Sequence, residues 1–465
     1  AGFSRRSRFL SIFFKNLLSA AIVAIIFYLF GFAFAFSEGN AFIGETYVAL
    51  ADFNDYASWF YQWTLASAAV AIISGSISQR TSLWVYPFVA LFVGGFIYPV
   101  VAHWVWSSKG FLTFAQDYFD SRGVFDFAGS GVIHVVGGFA GEYLEIKAKP
   151  FAVSMFTGRF PLPSFLHQAS PVLPSLAPAW ALLARKAFPP SPVVSGRNYL
   201  LMGLGVLILW FGWYGLAVLG GGTGVSGSIY AFGRSAMNTT LAAAAACGAG
   251  IMITKLVTGS YSVVYALSST LAGLVSIGAS CTIVKPWAAI IIGVIGAFIY
   301  VASSRFLKSV RLDDPMDAAA IHGFTGIWGL LAAGLFGWAD LLDPTSDSIA
   351  TGRQFGMQLL GGLIIAAWTV ATSGILFFLL NRTIGLRDPA ETDPDAALGQ
   401  KLADAEHSTL EDMMEEISND PVKAARLWEI LRSSAMTELQ HFVDERAGLP
   451  RNRSRAKMEP AKERK

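Results

Sequence analysis

This sequence predicts an all-α fold: a polytopic membrane helix bundle of about ten transmembrane helices, built as an inverted five-helix repeat. Three observations carry that prediction. The apolar residues gather in runs of membrane length, the cationic residues favour alternate connecting segments, and one histidine-centred segment occurs twice, five helices apart.

The apolar runs come first. Of 465 residues, 54% are hydrophobic and 14% are charged. Soluble domains carry about 25% charged residues, so this chain has too little polar surface to cover a globule. Runs of roughly 18–25 apolar residues cross about 30 Å of hydrocarbon. They place spans at residues 17–36, 58–78, 83–106, 126–145, 198–218, 236–256, 262–282, 286–307, 318–340 and 354–381. Gly and Ala recur inside them, which suits helices that approach closely in lipid.

Orientation follows from lysine and arginine. With residue 1 in the cytoplasm, the cytoplasmic segments hold about 17 Lys and Arg and the outer ones about 5, the expected positive-inside bias. Glu38, Glu45, Asp52, Asp55, Asp340, Asp343 and Asp347 then lie outside, giving an acidic outer face. A net charge of +2 is too small and too dispersed for a nucleic-acid partner. Cys247 and Cys281 have the spacing of neither a metal site nor a disulfide framework and read as buried thiols. No metal and no organic cofactor is expected.

The chain opens AGFSRRSRFLSIFFKN, basic and without a signal-cleavage pattern, and reads as a fragment or a processed form. The membrane domain runs over 1–382, with an irregular cytoplasmic insert at 142–197. Residues 383–465 read as a cytosolic tail, partly amphipathic helix, ending in a disordered basic stretch.

The repeat is the most informative feature. Asp126-FAGSGVI-His134-VVGGFAG matches Asp314-PMDAAAI-His322-GFTGIWG. Each aspartate stands eight residues before a histidine preceded by isoleucine, and glycines follow at plus four and plus seven: Gly138 and Gly141, then Gly326 and Gly329. An odd number of helices between equivalent points reverses direction in the membrane, the mark of an inverted repeat whose interface holds the substrate path. Eight residues advance a helix by about 12 Å, which puts the aspartates at helix N-termini and the histidines near the bilayer centre. A single intramembrane histidine commonly just bonds a neighbouring helix. Two at symmetric positions, each able to donate at one nitrogen and accept at the other, point instead to a pathway or proton relay.

At these residues the chain resembles the ammonium transporter and Rhesus-glycoprotein family. DFAGSGVIH and DDPMDAAAIHGFTGIWG are similar to its two histidine segments, and FGFAFAFSEGNAFIG, GFIYPVVAHWVW, LWFGWYG and KPWAAIIIG support the likeness over 1–141 and 198–408. The resemblance implies eleven helices, a homotrimer with one pore per subunit, a plasma-membrane location and a cytoplasmic C-terminus. Ten spans are read here, so the family's first helix is expected to be missing. It also implies that His134 and His322 are the pore pair, that Trp106 and Asp126 define an outer recruitment site, and that Asp314 and Asp317 cap the ninth helix. On its own residues, Asp126 reads equally as a structural cap and Trp106 as an interfacial aromatic.

The chain also departs from the family. Leu65 and Leu216 stand where two stacked phenylalanines usually gate the pore, and Gly220 stands where a serine contacts the ion. Restoring serine at position 220 is therefore expected to tighten ammonium binding. The stretch at 142–190, proline-rich in its later part, is not expected to resemble the family's loop. Together these residues imply ammonium or ammonia conduction through a dry pore, with the lipid bilayer and a cytosolic regulator at the tail as partners and no covalent chemistry. The alternatives are an ammonium sensor with little flux, and an inactive or incomplete family product.

Overall fold

A computed structural model describes residues 9–78, 81–114, 123–141, 198–220, 229–310, 312, 314, 316–337 and 352–386. All belong to the first of two units, Ala1–Leu398. The insert at 142–197 and the tail beyond residue 386 lie outside the described residues.

The architecture is helical. Among the described residues no β-strand occurs, only the isolated bridges Gly39–Gly44 and Thr113–Val124. In chain order the helices are α1 (Ile12–Phe36), α2 (Tyr56–Ser76), α3 (Val85–Trp106), α4 (Ser130–Ala140) and α5 (Tyr199–Leu219). Then come α6 (Ile229–Thr258), α7 (Val263–Gly278), α8 (Pro286–Ser309), α9 (Ala319–Phe336) and α10 (Gly352–Thr383). Among the described residues seven helices are long and apolar enough to cross a membrane: all except α2, α4 and α7. Those three coincide with the remaining expected spans, but α4 is shorter than the expected 126–145 and starts four residues after Asp126.

Local chemistry sets the helix starts. Asp55 Oδ1 accepts the Ser58 N–H at the head of α2, and Asn198 Oδ1 accepts the Leu201 N–H at the head of α5. These are N-cap bonds that satisfy an otherwise orphaned donor. Lys285 leads into α8 with Pro286 in the first turn, where proline's missing N–H costs nothing.

Two aspects of the packing position the site. First, α4 and α9 cross at their glycines. A methyl group added to Gly138 would collide with the Gly323 backbone, and one added to Gly326 would lie 2.5 Å from the Ser130 carbonyl oxygen. Small residues here let two backbones touch, as membrane helix packing requires. Second, the histidine segments of both helices, Ser130–Val135 and Ala319–Phe324, are π-helical turns. The His134 N–H accordingly bonds back five residues to the Gly129 carbonyl at 3.1 Å. Such single-turn π insertions concentrate at functional sites. Their recurrence around both histidines, one residue out of register, extends the sequence repeat into backbone conformation.

Candidate functional site

His134 is buried at 2% exposure, and His322 is partly buried. Their Nδ1 atoms lie 3.2 Å apart, and the rings stack with centroids at 5.2 Å and an interplanar angle of 19°. At that separation one Nδ1 donates and the other accepts, and the tautomer of each ring sets which. The His134 Nε2 has no hydrogen-bond partner among the described residues.

On its far face His134 stacks flat against Trp213, with centroids 4.9 Å apart and planes within 6°. The indole, itself 5% exposed, fixes the imidazole plane. Trp213 belongs to the LWFGWYG stretch, yet sequence reasoning did not single it out. The available signal was its position three residues before Leu216, which puts both on one face of α5.

Eight residues before His134, Asp126 is fully buried. Its Oδ2 accepts the N–H groups of Gly131 and Val132, each at 2.9 Å, satisfying orphan donors at the head of α4. Its Oδ1 has no partner among the described residues. Trp106 is 4% exposed, and its indole N–H donates to the Asp126 carbonyl oxygen at 2.6 Å. The structure thus brings Trp106 and Asp126 into contact.

Leu65 is buried at 1% exposure on α2, and Leu216 is half-buried on α5. The Tyr61 hydroxyl, one turn before Leu65, approaches the Leu216 carbonyl oxygen at 3.5 Å and links the two helices beside these leucines. Gly220 closes α5 with φ 67° and ψ 158°. A Cβ there would lie 2.7 Å from the ring of buried Phe127. That conformation is essentially restricted to glycine.

Two aspartates precede α9 and play different parts. The Asp314 carboxylate accepts the Ala318 and Ala319 N–H groups, both at 2.8 Å, which is capping geometry. Burial first, and then the neighbouring Asp317 charge, push the Asp314 carboxyl up to about 7, while the backbone N–H bonds oppose that shift. Asp317, also expected as a cap, accepts the Ile321 N–H through its backbone carbonyl at 2.7 Å. It has a left-handed φ of 51°, which turns its carboxylate off the helix head toward Tyr300, Ser304 and Lys308 on α8.

Other polar groups hold the frame. Ser130 Oγ donates to the Val275 carbonyl and accepts the Ala279 N–H, both at 2.7 Å, pinning the head of α4 to the end of α7. His103 is buried in α3 with its ring nitrogens 3.0 Å from the Ala35 carbonyl and 2.8 Å from that of Asn40. It ties the end of α1 to α3 and is not part of the pair. No group of three or more potential metal ligands occurs among the described residues.

Comparison with known proteins gives a consistent picture. A sequence model of the Ammonium Transporter Family matches residues 1–150 and 167–400, so the family likeness extends into 142–190, where none was expected, and leaves only 151–166 unmatched there. Ammonium transporter 1 member 3 of Solanum lycopersicum is 35% identical over 408 residues, covering 82% of this chain and 82% of the relative. Ammonium transporter 1 member 4 of Arabidopsis thaliana is 34% identical over 422 residues, covering 84% and 78%. Among solved structures, one described as a sensor Amt protein superposes with a TM-score of 0.65 at 26% identity, over 83% of this chain and 88% of that one. Candida albicans Mep2 superposes with a TM-score of 0.65 over 83% and 80%; at 24% identity it speaks to the fold alone.

Proposed function

Because this chain belongs to the ammonium transporter family, we propose that it conducts ammonium or ammonia across a membrane along a path through the His134–His322 pair. The observation that carries this reading is the pair itself, buried His134 and partly buried His322, Nδ1 to Nδ1 at 3.2 Å on the two repeat-related helices. Ionisable residues inside membrane helices are costly and mark transport routes. The relatives are transporters, and this chain is not an enzyme.

The steps follow from the residues. The acidic outer loops raise the local cation concentration weakly. Asp126 and Trp106 support the entry site, and Gly220 borders it through its backbone. Leu65 and Leu216 form a dry gate that hydrated ions do not cross. Beyond it, a partly desolvated ammonia finds the imidazole nitrogens, and the unpartnered His134 Nε2 is a natural hydrogen-bond partner. Because the Nδ1 atoms share one proton, a proton can shift between rings if a protonated species enters. A potassium ion finds too few oxygens in such a passage. The reading includes ten membrane crossings, a homotrimer, a plasma-membrane location, a cytoplasmic C-terminus and a cytosolic regulator at the tail.

The test is uptake of labelled methylammonium into vesicles holding the purified full chain, alongside His134→Ala and His322→Ala. Wild-type uptake that ammonium competes away supports the reading. Variants that match the wild type in flux, selectivity and charge movement would mean that the histidines are structural. A sensor is the second reading, favoured by the absence of a side-chain hydroxyl at Gly220. Ammonium binding without flux in the wild type would select it.

A further inference from the structure

Asp317 stands five residues before His322, about 6–8 Å of helical rise from the pair, at the end of the path opposite Asp126. Its side chain is 13% exposed. Oδ2 accepts from the Tyr300 hydroxyl at 3.0 Å, and Oδ1 accepts from Ser304 Oγ at 2.7 Å. Tyr300 and Ser304 are fully buried on α8. Asp317 holds this position with the left-handed φ of 51°. A non-glycine residue keeps such a backbone only where its surroundings over-determine it, commonly at a functional site.

The third partner of this carboxylate is the Lys308 ammonium group, 3.3 Å from Oδ1. Lys308 Nζ also donates to Ser304 Oγ at 2.8 Å. The cluster therefore already seats a substituted ammonium ion, with a carboxylate and a hydroxyl oxygen as its ligands. A free ammonium ion presents four N–H donors, one more than the lysine head group, in a smaller volume. The two sides of the contact differ in how firmly they are held. The carboxylate is locked by buried hydroxyls, whereas the Lys308 side chain is 57% exposed on a flexible four-carbon stem. Ion pairs with an exposed partner are weak and screened, so this one exchanges readily. The neighbouring Asp314 does not compete for the cation, because its carboxylate faces the backbone N–H groups of Ala318 and Ala319.

We propose that Asp317, Ser304 and Tyr300 form an ammonium site at this inner mouth, and that Lys308 is its tethered occupant, displaced by free ammonium. This rests on the transport reading and adds a residue that sets how strongly ammonium on the inner side holds the exit. With Lys308 seated, the carboxylate is neutralised and releases arriving ammonium. With Lys308 removed, the carboxylate retains it, and ammonium on the inner side inhibits its own entry.

The experiment uses the full chain as wild type, Lys308→Met, and Lys308→Met with Asp317→Asn. In detergent, the rise in Tm is followed as ammonium chloride replaces potassium chloride at constant ionic strength. In vesicles, internal ammonium is titrated against inward methylammonium flux. Lys308→Met is expected to lower the half-effective ammonium concentration in both assays by about two- to fivefold, the range of an exposed ion pair. The double variant is expected to lose that gain. The exposure of Lys308 makes the single variant compatible with folding. Equal ammonium dependence in wild type and Lys308→Met, or a gain that survives the loss of the Asp317 charge, would overturn the proposal. A wild type without flux would overturn the transport reading instead, and the Tm comparison would still decide the role of Lys308.

Discussion

His134 and His322, 188 residues apart in the chain, meet with their Nδ1 atoms 3.2 Å apart across the crossing of α4 and α9. Each ring is therefore the other's hydrogen-bond partner. Replacing either by alanine removes one bond and leaves the second Nδ1 unpaired. A net hydrogen bond is worth about 0.5–1.5 kcal/mol, so methylammonium flux should fall by about tenfold at the upper end of that range. Flux per folded protein in vesicles is the measurement, with the Tm recorded to separate assembly from conduction. His322→Asn, which keeps a donor and an acceptor, should retain more flux than His322→Ala.

The backbone at Gly220 weighs against the expectation, drawn from the family resemblance, that a serine there tightens ammonium binding. A serine there would add a hydroxyl at the entry site, but φ 67° with ψ 158° suits glycine, and a Cβ would press on Phe127. Gly220→Ser should cost about 1–3 kcal/mol of stability and should leave the half-saturating ammonium concentration unchanged or raised. Gly220→Ala should show the same loss of Tm, because the penalty lies in the backbone and the Cβ. A well-folded Gly220→Ser variant with tighter ammonium saturation would show this account to be wrong.

The α4–α9 crossing supplies a stability test with an internal control. At Gly138 an added methyl group collides with the Gly323 backbone, whereas at Gly205 on α5 nothing lies within 4 Å. Gly138→Ala should destabilise by about 1–3 kcal/mol through overpacking. Gly205→Ala should be neutral or slightly stabilising in thermal melts of the isolated chain, because alanine is the better helix former. Equal melting of the two variants would place the tight contact elsewhere.

Asp314 makes stability depend on pH. Its folded value of about 7 lies above the usual carboxylate range, so the folded chain favours the protonated acid. That contribution is complete below the unfolded value of about 3.9 and is lost as pH rises through about 7. Melting temperature measured from pH 5 to pH 8 should fall with rising pH in the wild type. Asp314→Asn, which cannot ionise, should flatten that fall. A slope unaffected by the substitution would assign the pH dependence to another group.

The helices and their repeat could be read from the residues before any coordinates. Membrane thickness dictates the length of an apolar run, and a histidine eight residues after an aspartate is countable along one chain, so both were legible without coordinates. The approach of α4 to α9 was legible too, through Gly138 and Gly326, because close packing demands small side chains. Tertiary structure alone decided what those residues touch. The Trp213 face against His134 depends on α5 lying beside α4. The turning of the Asp317 carboxylate toward Lys308 depends on a left-handed backbone that no residue type announces. The cost of a side chain at Gly220 depends on φ and on Phe127, which lies 93 positions away in the chain. Local periodicity writes secondary structure into sequence, but contacts between distant segments and the backbone angles they enforce arise only when the bundle closes.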